Sequence, residues 1–164
     1  METIENFRIN PDKLQETIDA GQWDLLMTEE NGVQKLLAIS DETLQRYYEV
    51  SSQLLKENQW SQARDAFRFL TFLNPYVHSF WMGLGIAEQT QGNFEQAIIA
   101  YMLGEVTDPN DPIVHANALQ CYVALGDKAL AGRAYQIALD LCDSSEGYTE
   151  LKENLLNYRR SVAI

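Results

Sequence analysis

An all-α fold of three tandem helical hairpins is predicted by three observations. Ala63, Ala97 and Ala131 recur at an interval of 34 residues, and so do the aromatics Phe67, Tyr101 and Tyr135. Asn58, Gly92 and Gly126 keep the same interval, while Pro75 and Pro109 stand one period apart with Asp143 in the third place. No insertion breaks the phase, and no stretch alternates polar and apolar residues as a half-buried strand does.

A period of 34 residues with a small residue, an aromatic four positions later and a closing proline is the tetratricopeptide (TPR) signature. Each hairpin is too small to bury its own apolar face, so neighbours stack into an α-solenoid. Small residues such as Ala63 and Gly85 belong where helices cross closely, and the aromatics fill the space between hairpins. Asn58, Gly92 and Gly126 fall in the turns, where a residue able to enter the left-handed region ends the first helix. The repeats are 44–77, 78–111 and 112–145 within a repeat domain spanning 40–145, preceded by an N-terminal tail and helix (1–39) and followed by a C-terminal capping helix (146–164).

In chain order, residues 1–9 read as a tail, and Asn10-Pro11 starts a helix with a capping residue and a proline at the first helical position. Leu14, Ile18, Leu25 and Leu26 give it an apolar stripe to about Thr28, with a bend or break at Gly21. Glu29 to Gly32 is a turn, and Val33 to Ile39 a short helical segment. Ser40 caps helix A of the first repeat, with Asp41 and Glu42 where negative charge suits the helix dipole. That helix runs to about Glu57, and helix B from Ser61 to Leu73. The second repeat places its helices at His78–Gln91 and Phe94–Thr107, and the third at Pro112–Leu125 and Lys128–Cys142. Residues Asp143 to Gly147 read as a loop. A closing helix, Tyr148–Ser161, then covers the open apolar end with Leu151, Leu155 and Tyr158.

The chain has 164 residues, enough for a continuous core, with 46% hydrophobic residues and a formal net charge of -12. Phosphate backbones repel so acidic a chain, which argues against nucleic acid and anionic membranes and for charge as an aid to solubility. Residues 1–43 hold ten acids against Arg8, Lys13 and Lys35, and the second repeat holds five acids and no Lys or Arg. The acidic 1–43 region is open to three readings: a dimerisation arm, a partner contact or a solubilising tail. Cys121 and Cys142 are too few for a disulfide framework and lack metal-motif spacing, as expected of buried thiols in a reducing cytosol. The N-terminus lacks the basic and apolar regions of a signal peptide, and no 18-residue apolar run is available to insert into a membrane.

Catalysis finds little support. Gly83-Leu84-Gly85 lacks the third glycine of a nucleotide loop and lies within a helix, where its periodic place marks repeat packing. His78 and His115 are not repeat-equivalent and have no partners at ligand spacing; they read as a helix-start residue and a satisfied histidine. Glu29-Glu30 and Asp41-Glu42 sit at a turn and a helix start. No enzyme, cofactor or metal is expected.

A three-repeat solenoid instead offers a concave groove lined by its A helices. The inward positions are Gln45, Tyr48, Ser52 and Leu55 in the first repeat, and Ser79, Met82, Ile86 and Gln89 in the second. Ile113, Ala116, Gln120 and Val123 follow in the third, with Asn117 beside them. None is charged. TPR proteins that grip acidic chaperone tails carry a basic clamp on these faces, whereas here Tyr48, Ser52, Gly83, Ile113 and Asn117 occupy its places. An extended peptide with small apolar side chains and prolines fits better, held around Tyr48, Met82 and Ile86 with amides from Gln89 and Gln120.

The run Ile39 to Leu44, then Asn58-Gln59-Trp60, Ala63 and Phe67, Leu70 to Pro75, Phe80-Trp81-Met82-Gly83-Leu84-Gly85, Gly92-Asn93-Phe94, Ala97 and Tyr101 resembles the class II type III secretion chaperones of the SycD/LcrH type. The resemblance covers about Asn31 to Cys142. It implies a bacterial cytoplasmic virulence chaperone that binds a short extended N-terminal segment of hydrophobic secreted translocators, keeping them soluble and apart before export. It places Tyr48, Leu55, Met82, Ile86, Gln89, Asn117 and Gln120 in that groove, and implies homodimers through the N-terminal region. Family members carry aromatics where this chain has Ser51, Ser52 and Leu55, and Glu88 stands where many TPRs place an aromatic. The other reading is a general TPR interaction scaffold or regulatory adaptor.

Overall fold

Three sharp turns, one period apart, set the frame. Asn58, Gly92 and Gly126 have φ of 60°, 79° and 77°, and each turn is closed by the same pair of backbone bonds. The N–H groups of Gln59, Asn93 and Asp127 donate to the carbonyls of Leu54, Glu88 and Tyr122 at 2.9, 3.0 and 2.9 Å. Those of Asn58, Gly92 and Gly126 reach Leu55, Gln89 and Val123 at 3.1, 3.0 and 3.1 Å. This double closure is the Schellman arrangement, which requires a left-handed residue after the helix.

The computed structural model describes residues 32–162. The helix expected over Pro11–Thr28, the tail before it and most of the 1–39 region lie outside the described residues. Among those described there are eight helices and no strand: α1 (Gly32–Leu36), α2 (Asp41–Lys56), α3 (Trp60–Leu73), α4 (His78–Thr90), α5 (Phe94–Thr107), α6 (Pro112–Ala124), α7 (Lys128–Ser144) and α8 (Thr149–Val162). They group into two compact units divided between Leu84 and Gly85, inside α4.

In the first unit, Ser40 caps α2 by accepting from Thr43 N at 3.1 Å. Helix α2 packs on α3, and α1 packs on α3 as well. A buried amide pair holds α1 there: Asn74 Nδ2 donates to Gln34 Oε1 at 3.0 Å, and Gln34 Nε2 donates to Asp41 Oδ1 at 2.7 Å. Gln34 and Asn74 are only 3% and 6% exposed, and protein groups rather than solvent satisfy both amides: Gln34 Nε2 also donates to the Ile39 carbonyl, and Asn74 Oδ1 accepts from Tyr76 N. Phe67 lies against the backbone of α4 at Gly83, where a Cβ would stand 2.2 Å from its ring. Glycine is required there by the close approach.

In the second unit, Asp111 caps α6 through Ile113 N with Pro112 at the first helical position, and Asp127 caps α7 through Leu130 N. Helices α5 and α7 both pack on α6, and α8 packs on α7 and α6. Ala116, Leu119, Ala131, Ala134, Tyr135, Ala138, Cys142 and Leu155 form the core, with Leu151 and Tyr158 packed against it. The closing helix therefore covers the last hairpin with the residues expected.

One boundary differs from expectation. Helix α7 continues through Ser144, whereas a loop was expected from Asp143. At the two earlier places in the series Pro75 and Pro109 force the preceding residue out of the helical region, and Asn74 and Asp108 are extended at φ -146°, ψ 95° and φ -145°, ψ 93°. Asp143 imposes no such restriction on Cys142, so the helix runs on.

Candidate peptide-binding site

Helices α2, α4 and α6 carry every groove residue expected from the sequence. In the first unit Tyr48 is half-buried, its ring 5.7 Å from Phe80 and 6.2 Å from Phe67 between centroids, the latter edge-on. The cluster holds one face of Tyr48 and leaves its remainder accessible. Ser52, Leu55, Ser79 and Met82 are half-buried, while Gln45 is exposed and donates to Glu49 at 3.2 Å.

The second unit is more specific. Ile86 is 39% exposed and Ile113 40%. Tyr101, fully buried on α5, lies across α4 at Gly85, where a Cβ would meet its ring at 2.3 Å. That close approach lets the Tyr101 hydroxyl reach Gln89 Oε1 at 2.6 Å, and Gln89 Nε2 in turn donates to Gln120 Oε1 at 3.1 Å. Burial, helped by the nearby Cys121 sulfur, holds the Tyr101 hydroxyl well above the usual phenol range, so it remains a protonated donor. The relay starts in the core and ends on an exposed carboxamide. Among the described residues, nothing accepts from Gln120 Nε2. Asn117 is half-buried beside it.

Two expected groove residues serve as wall rather than surface: Ala116 is 6% exposed within the core, and Val123 packs against the same core. Ala116 meets a cavity of about 110 Å³ between α6 and α8, lined by Ala116, Leu119, Gln120, Leu151, Asn154, Leu155 and Tyr158. Sequence reasoning saw Leu151, Leu155 and Tyr158 only as a cover, and Asn154 not at all. Glu88, the oddity of the second repeat, is 2% exposed and accepts from Asn93 Nδ2 at 2.8 Å, tying the end of α4 to the start of α5. His78 begins α4, and His115 is buried with Nε2 3.8 Å from Glu105.

Among the described residues no three His, Cys, Asp or Glu side chains converge as a metal site, and no helix is long and apolar enough to cross a membrane. What the geometry presents is uncharged: aromatic and aliphatic patches interspersed with oriented carboxamides. The fold and these surfaces define a TPR protein-binding module. Residues 78–105 match the tetratricopeptide repeat family. The low calcium response locus protein H of Yersinia pestis is 25% identical over 154 residues, covering 92% of each chain. The type III secretion chaperone SycD of Yersinia enterocolitica, solved in complex with a peptide of the translocator YopD, is 26% identical with a TM-score of 0.72, over 76% of this chain and 95% of that one. PcrH of Pseudomonas aeruginosa, solved with the chaperone binding region of PopD, is 26% identical with a TM-score of 0.73, over 76% and 94%. The chain belongs to the class II type III secretion chaperones of the SycD/LcrH type.

Proposed function

We propose that this protein is a bacterial cytoplasmic chaperone of type III secretion that binds an extended segment of a hydrophobic translocator and keeps it soluble before export. The observation that carries the reading is the uncharged Tyr101–Gln89–Gln120 relay beside the exposed Ile86: it offers apolar contact and oriented amide donors, the two things an extended, uncharged backbone needs. The first unit supplies Tyr48, Ser52, Leu55 and Met82, the second Ile86, Gln89, Asn117 and Gln120. Gln45, Ser79, Ala116 and Val123 border them. Complexes of SycD and PcrH with translocator segments support the same reading. The protein acts by holding a chain, without chemistry on it, and homodimers through the N-terminal region are part of the proposal.

Co-expression with a hydrophobic translocator tests it. The translocator should become soluble and co-purify, and Met82→Asp or Ile86→Asp should weaken binding of its protected segment by at least about 100-fold, because a carboxylate is desolvated against apolar side chains. Circular dichroism should show both variants folded. If no hydrophobic secreted protein is solubilised, a general TPR scaffold replaces this reading; if both variants bind normally, the groove residues are wrong.

A further inference from the structure

The cavity between α6 and α8 has three properties that together point to an occupant. Its lining contains no charged residue, so a Lys, Arg, Asp or Glu side chain entering it is stripped of water without a partner. Its volume, about 110 Å³, is room for one side chain, and the wall of Ala116, Leu119, Leu151 and Leu155 favours an aliphatic one. Its rim carries two exposed carboxamides, Gln120 on α6 and Asn154 on α8.

The rim is not symmetrical. Tyr101 donates to the Gln89 oxygen, so the Gln89 nitrogen faces Gln120 and must meet an oxygen there. The Gln120 oxygen is thereby taken, and its nitrogen, on an exposed side chain, is left without an acceptor among the described residues. A buried hydroxyl on α5 thus fixes, through Gln89 on α4, the polarity of an exposed amide on α6. An available N–H pair beside an aliphatic pocket matches a peptide carbonyl next to an aliphatic side chain.

Resting on the groove reading above, we infer that the α6–α8 cavity is an anchor pocket for one aliphatic side chain of the bound translocator segment, with Gln120 Nε2 donating to the backbone carbonyl beside that anchor. The closing helix is then part of the binding site through Asn154 and Leu155, and Tyr101 is a positioning residue that acts through Gln89. Continuity carries the segment there: Ala116 and Gln120 belong both to the inward face of α6 and to the pocket wall.

The test is a fluorescence-anisotropy titration of the full chain with the protease-protected segment of the co-expressed translocator. Ala116→Leu fills the pocket from α6, and Asn154→Leu fills it from the exposed side of α8, where folding is not at stake. Each should weaken binding about tenfold or more. Replacing the segment's aliphatic anchor with alanine should weaken wild-type binding equally but add nothing in either variant, a non-additive cycle. Tyr101→Phe should weaken binding severalfold only while Gln120 is present. If both pocket variants bind like wild type while Met82→Asp does not, the groove stands and the pocket is overturned. If Met82→Asp also binds normally, the groove reading falls with it. If the pocket variants change the sedimentation of the free chain without changing segment affinity, the pocket takes a second copy of the chain and the inference fails.

Discussion

In the second hairpin Tyr101 lies close against the bare backbone of Gly85 and donates to Gln89; one period later Tyr135 shares its core with Leu119, and Val123 stands where the amide was. The hydroxyl of Tyr101 is satisfied. That of Tyr135 is buried and has no hydrogen-bond partner among the described residues, and the Arg159 guanidinium from α8 stands 5.1 Å over its ring. Two substitutions in one template, Leu119 for Gly85 and Val123 for Gln89, therefore turn a hairpin that aims a polar arm outward into one that receives a closing helix. Loss of the tyrosine hydroxyl should therefore lower stability in the second hairpin and not in the third.

Exchanging the residues under the aromatics separates the two hairpins most strongly. Leu119→Gly, which copies the second hairpin into the third, should destabilise the chain by about 4 kcal/mol, from the lost core side chain and a glycine inside a helix, measured by chemical denaturation. Gly85→Ala is a smaller change. Alanine favours the helix by about 1 kcal/mol, but overpacking against a ring that cannot move costs about 3 kcal/mol, so a net loss near 2 kcal/mol is expected. A variant as stable as wild type would mean that the Tyr101 ring can shift, and the close approach would lose its role.

Removing the hydroxyls sharpens the contrast. Tyr101→Phe should cost about 1 kcal/mol, the usual worth of a hydrogen bond lost from a partly buried pair. Tyr135→Phe should be neutral or stabilising by about 0.5 kcal/mol, since it removes a buried donor that has nothing to meet. Equal losses in both variants would show that Tyr135 has a partner after all.

The fold was legible because its determinants are local. The left-handed turns, the pre-proline extensions at Asn74 and Asp108 and the caps at Ser40, Asp111 and Asp127 each depend on residues within a few positions. Where a determinant was missing the reading slipped, as at Asp143, which holds the place of a proline in the series without its ring. The site was legible only as a face. That Gln89 and Gln120 bond across 31 residues, or that α6 and α8 leave a cavity, follows from how side chains fill space between helices, which no period encodes. Ala116 illustrates the limit: its phase marks it as inward, and the structure makes it the floor under that face.

The burial of the two thiols has a practical consequence. Cys121 is pushed up to about 11 by burial, and Cys142 is raised as well, first by burial and then by the charge of Asp143. A thiol held protonated under packed helices reacts with a water-soluble alkylating agent only when its cover lifts and the thiolate forms. Cys142 lies in the core that Leu155 of α8 helps to seal. Its labelling rate in the native chain is therefore a clock for the detachment of the closing helix, and a bound segment anchored under that helix should slow it.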